Sequence, residues 1–170
     1  MRPFRTMLFA ADFSANSQDA FRLAGSLAVE NKTRIIVLHV VEPTLVTEEP
    51  VAMGQAAIQF FNAVRDEIPR ESLRRQLREV YSPNHPIDVE YLIREAEDAA
   101  EDILGIADEI GADLIVMGTH GRTGLSRLLI GNVAESVLPK ADCPVMVVKT
   151  PEHGAPRASS RPAAQAVTIH

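Results

Sequence analysis

A single cysteine, Cys143, is all the thiol chemistry this 170-residue chain carries. It excludes an intrachain disulfide, and no grouping of Cys with His has the spacing of a zinc site. Positive charge is in deficit as well: 17 Lys and Arg against 23 Asp and Glu leave a net charge of −6. That balance argues against an electrostatic hold on nucleic acid or on an anionic membrane. No apolar run approaches a membrane span, and the opening stretch to Asp12 has too short an apolar segment for a signal peptide. A reducing cytoplasm is the expected setting. Two common phosphate-binding signatures are missing: no Gly-Lys-Ser/Thr is present, and Gly118, Gly121 and Gly124 stand three apart rather than as G-x-G-x-x-G.

What is present is 46% hydrophobic residues in a length suited to one well-buried core. Short apolar runs alternate with longer stretches of helical period, the signature of βα units around a parallel sheet. Strands are expected at Thr6 to Ala11, at Arg34 to Val41, along the alternating Ile87, Val89, Tyr91 and Ile93, at Asp113 to Met117 and at Pro144 to Lys149. The second, nearly all apolar, reads as central; the third, with one more polar face, reads as nearer an edge. Between them lie a helix capped at Asn16 or Ser17 and running to about Asn31, and a helical stretch from about Met53 to Tyr81 that Pro69 should break. A third helix is stopped by Gly111, and a short fourth contains Pro139, which in a helix interior costs about 3 kcal/mol. The expected fold is thus α/β: a five-stranded parallel sheet with helices on both faces, Rossmann-like. The nucleotide-binding unit is expected over residues 1–149, with 150–170, lacking apolar period and rich in Pro, Ala and Ser, as a disordered tail.

Ligands of open parallel sheets bind at the carboxyl ends of the strands, where the strand order reverses. Asp12, Val40 and Gly118 end the first, second and fourth strands. After Gly118 the chain breaks into glycines and restarts as a helix near Asn132, an arrangement that can aim backbone N–H groups and a helix dipole at phosphate. The spacing Gly118-x2-Gly121-x9-Gly131, led by Asp-Leu-Ile-Val-Met-Gly-Thr-His-Gly-Arg and followed by Asn-Val-Ala-Glu-Ser-Val and Cys143-Pro-Val-Met-Val-Val, resembles the universal stress protein family. Asp12-Phe-Ser and Leu-His-Val-Val strengthen the resemblance, which runs from about Arg5 to Lys149 and implies a fold like the adenine nucleotide alpha hydrolases.

That resemblance implies ATP or another adenine nucleotide as ligand, with Mg²⁺ a possible companion. Gly118 and Gly121 would admit the phosphates, Gly131, Asn132 and Val133 would bind them at a helix start, Asp12 would lie by the ribose and any metal, and the Val40 main chain would meet the adenine. Arg122 would add positive charge. It also implies a homodimer paired through the fifth strand, Pro144 to Lys149. Asn132 stands where the ATP-binding branch carries Ser or Thr, and Glu97 stands where many members have Gly. The leading expectation is a cytoplasmic adenine-nucleotide-binding regulatory or stress-response protein with slow or no ATP hydrolysis, since no residue pair demands catalysis. The alternative is a dimeric interaction module of the same fold that uses no nucleotide. A nucleotide hydrolase fits less well, because Asp12-Phe-Ser-Ala-Asn-Ser17 lacks the Ser-Gly-Gly type of loop. His39 reads as a hydrogen-bonded core histidine, and Cys143 as a small buried hydrophobe.

Overall fold

Alternation along the apolar strands sends neighbouring side chains to opposite faces, and each face needs its own helical cover. The computed structural model describes residues 4–41, 70–119 and 131–149 and the backbone of 165–169. In chain order they form β1 (Thr6–Ala10), α1 (Ala15–Asn31), β2 (Arg34–Val41), α2 (70–80), β3 (Val89–Glu95), α3 (Ala99–Ile110), β4 (Leu114–Gly118), α4 (Asn132–Val137), β5 (Val145–Lys149) and β6 (Gln165–Ile169). The sheet order is β3-β2-β1-β4-β5-β6. The first five are mutually parallel, as expected; β6 is antiparallel to β5 and is an addition.

Met7, Phe9, Ile35, Val37, Leu114 and Val116 point to one face, where Ala20, Phe21, Ala24 and Ala28 of α1 and Leu77 of α2 close over them. Leu8, Ile36, Leu38, Ile115 and Met117 point to the other, beneath Ile103, Ile106 and Ala107 of α3 and Ala134 and Val137 of α4. Burying a side chain of this size contributes about 1.5–3 kcal/mol, so these two layers dominate the stability. β3 takes the edge position that its alternation implied.

Element ends follow local chemistry, with some departures from expectation. α1 is capped by Ser14 rather than Asn16 or Ser17: its hydroxyl accepts the Ser17 N–H at 3.0 Å. α3 is capped by Asp98, whose carboxylate accepts the N–H groups of Ala100 and Glu101, and ends on Gly111 at φ +61°. α4 stops at Val137, two residues short of Pro139, which cannot supply the next helical donor. Helix is present over 70–80; Pro69 and the rest of the stretch expected to be helical from Met53 lie outside the described residues. Among the described residues, no helix is long and apolar enough to cross a membrane.

Candidate functional site

Register sets the site. Ala10 pairs with Leu38 on one side and with Met117 on the other. Two residues further on in each chain segment, Asp12, Val40 and Thr119 therefore stand at the same level, Asp12 and Thr119 past the ends of their strands and Val40 still paired with Arg94 of β3. This is also the switch point: the chain leaves β1 for β2 on one side, while β4 and β5 are added on the other.

The segment after β1 is held tightly. One Asp12 carboxylate oxygen accepts the Ser14 N–H at 2.8 Å, closing an Asx turn, and the Asp12 N–H donates to Ser17 Oγ at 3.4 Å. Phe13 between them has φ +63°, a left-handed conformation unusual for an aromatic residue. Its N–H donates to Tyr81 Oη at 2.8 Å, and the same hydroxyl donates to Ser17 Oγ at 2.9 Å. Burial pushes the Tyr81 hydroxyl above its usual value, with the Ser17 and Phe13 hydrogen bonds opposing the shift. Tyr81 and Ser17, both fully buried, thus brace the turn that carries Asp12. From the sequence Ser17 was expected only as a helix cap and Tyr81 only as the end of a helical stretch. The available signal was Tyr81 falling four residues after Leu77, continuing the buried stripe of α2 by one turn past its end, where a phenol needs a polar partner.

Val40 is placed by the ladder itself. The Ala11 N–H donates to the Leu38 carbonyl at 2.8 Å, and the next carbonyl, that of Ala11, accepts the His39 ring N–H at 2.7 Å. Main-chain groups alternate sides along a strand, so Val40, like Leu38, turns its N–H and C=O toward β1. β1 has ended by that level, and the Val40 main chain faces past its end toward the Asp12 turn. His39 is hydrogen-bonded as expected but half-buried rather than in the core, packed edge-on against Phe13 with ring centroids 4.7 Å apart.

Gly118 has a packing reason to be glycine. A Cβ there would meet Ser17 N at 3.2 Å and Asn16 C at 3.3 Å, so the end of β4 passes against the first turn of α1. Thr119 follows, buried, its N–H donating to the Val148 carbonyl at 3.0 Å. Gly131 adopts φ +93° and caps α4 without a side-chain bond, its carbonyl accepting the Glu135 N–H at 2.9 Å. Only glycine enters that backbone region without strain. Asn132 is the first helical residue, and both it and Val133 are exposed. Gly121 and Arg122 lie outside the described residues. Glu97 is exposed between β3 and α3.

At the opposite, amino-terminal end of the sheet, Cys143 helps line a shallow pocket of about 200 Å³ with Asp108, Gly111 and Asp142. Burial and nearby Asp108 push its thiol up, which opposes a thiolate nucleophile. Among the described residues no group of three or more His, Cys, Asp or Glu is arranged to hold a metal.

The β5 edge does not stand open. β6 pairs with it from Val145↔Ile169 to Lys149↔Gln165, which satisfies ladder groups that the homodimer expectation left to a second copy. The same pairing gives strand structure to part of the segment expected as a disordered tail.

Comparison with known proteins gives a consistent picture. The family model described as "Universal stress protein family" matches residues 3–149. The universal stress protein YxiE of Bacillus subtilis is 30% identical over 148 residues, covering 86% of this chain and 99% of that protein. Universal stress protein MJ0577 of Methanocaldococcus jannaschii is 27% identical over 160 residues, covering 86% and 95%. The solved structure of MJ0577 superposes with a TM-score of 0.64 over 88% of this chain and 99% of that one, at 25% identity. Two further structures share the fold: a universal stress protein in complex with cAMP, at a TM-score of 0.61 and 20% identity over 86% of this chain and 98% of that one, and one from Archaeoglobus fulgidus in complex with dAMP, at 0.55 and 19% over 86% and 98%. With the match spanning nearly all of the sheet and its helices, the chain belongs to the universal stress protein family.

Proposed function

We propose that this chain is a cytoplasmic adenine-nucleotide-binding regulator of the stress-response type, with ATP as the leading ligand and slow or no hydrolysis. The observation that carries the reading is that Asp12, Val40 and Thr119 stand at one level at the switch point, with the Val40 main chain facing past the end of β1. A main-chain donor and acceptor on one strand suit the edge of an adenine, and a carboxylate held by an Asx turn suits ribose hydroxyls. Asp12 is assigned to the ribose and to any Mg²⁺ that accompanies the phosphates. Gly118, Gly121, Arg122, Gly131, Asn132 and Val133 are assigned to the phosphates. The cAMP and dAMP complexes of other family members support an adenine nucleotide as the ligand class.

Titration calorimetry and thermal melting with ATP and Mg²⁺ test the reading. Binding is expected to give measurable heat and a melting shift that grows with ligand, reaching about 2.7 kcal/mol at one hundred times Kd. Neither heat nor shift at millimolar ATP would overturn it. The variant Gly121→Val should abolish the signal while leaving the far-UV spectrum unchanged; retained binding removes Gly121 from the site. The second reading, an interaction module that uses no nucleotide, draws on Asn132, which is exposed and makes no capping bond. The same calorimetry separates the two. In either reading β5 is proposed as the edge through which a homodimer forms when that edge is free.

A further inference from the structure

β6 and a second copy of the chain need the same hydrogen-bonding edge. β5 is bonded on its inner side to β4, so its outer side is the only one left, and β6 covers it at five consecutive positions. Two strands cannot occupy that edge together. The family match stops at residue 149, short of β6. The strand that covers the edge therefore belongs to a segment added to the shared domain.

We propose that Gln165–Ile169 acts as an intramolecular cap on β5, and that the partner it excludes is the β5 edge of a second copy. The inference rests on the reading that β5 is the dimer edge, and is independent of nucleotide binding. An uncovered β5 would present a row of unpaired N–H and C=O groups with buried Val145, Val147 and Val148 behind it, a template for another strand. The fifteen residues 150–164, with their Pro, Gly and Ser, connect β5 to its cap. A connection of that length presents the cap at about millimolar effective concentration, well above a micromolar second copy. The capped chain is accordingly a monomer at micromolar concentration, and release of β6 permits pairing.

The test uses the full chain and the double variant Ala166→Pro with Val167→Pro. Adjacent residues of a strand direct their N–H groups to opposite sides, so one of the two prolines removes a ladder donor whichever way β6 is turned. Both substitutions lie outside the matched domain, and an unchanged far-UV spectrum checks that the sheet persists. Sedimentation is expected to give monomer for the unaltered chain and doubled mass for the variant, and a synthetic peptide of residues 163–170 should return the variant to monomer. A dimer in both proteins would overturn the cap. If both are monomers, hydrogen exchange at residues 145–149 locates the failure. Faster exchange in the variant means that the cap is real and the second copy is not its competitor. Unchanged exchange means that β6 does not cover the edge; either result overturns the proposal.

Discussion

Replacing Tyr81 by Phe removes one oxygen and tests how the Asp12 turn is held. The Tyr81 hydroxyl accepts from the Phe13 N–H at 2.8 Å and donates to Ser17 Oγ at 2.9 Å, and the residue is fully buried. The ring remains in the variant, so its tilted and edge contacts with Phe9, Phe13 and Phe21 persist. What is lost is the acceptor for a partly buried N–H on a residue already at positive φ. Leaving a buried donor unsatisfied costs about 1–3 kcal/mol. A loss of about 2 kcal/mol lowers Tm by roughly 4–8 °C in a chain of this length. The pH dependence supplies a second readout. Burial raises the Tyr81 pKa above 10.0, so the folded chain keeps a proton that the unfolded chain has released. That contribution is fully present below the unfolded value and is lost as pH rises through the folded one. The gap between wild type and variant, followed by thermal melting, should therefore narrow above pH 10.0. A variant that melts with wild type at neutral pH would refute the bracing role of the hydroxyl.

Gly118→Ala should lower stability by about 1–3 kcal/mol in denaturant unfolding, because the new Cβ meets backbone of Asn16 and Ser17 rather than a side chain that can move. Ser14→Ala removes the α1 cap and should cost about 1 kcal/mol by the same assay. Asp113 accepts the N–H groups of Thr6 and Arg5, which hold its carboxyl below the usual range. Its contribution is complete above the unfolded pKa and lost as pH falls through the folded one. Asp113→Asn should thus be less stable than wild type near neutrality, with the difference closing in acid; a constant offset across an acid titration would contradict this.

Much of the fold was legible from periodicity. The apolar run Arg34–Val41 could be satisfied only by cover on both faces, the alternation of Val89, Tyr91 and Ile93 placed β3 at an edge, and Gly111 marked the end of α3. The candidate site was legible only in part. Asp12 and Val40 stand at strand ends that any parallel order would expose, and the glycine spacing pointed to the family. Cap identity went to Ser14 and Gly131 because the preceding turn geometry decided it, and sequence pattern does not encode that turn.

By itself the sequence determined the alternation of strands and helices, the absence of disulfide chemistry and the family, because these depend on composition, local period and motif spacing. The tertiary structure decided which residues meet. Tyr81 reaches the Asp12 turn across 68 residues of chain to Phe13, Gly118 is needed where β4 passes α1, and β6 lies on the edge of β5. None of these has a local signature, since each is set by where separate elements come to rest on one sheet.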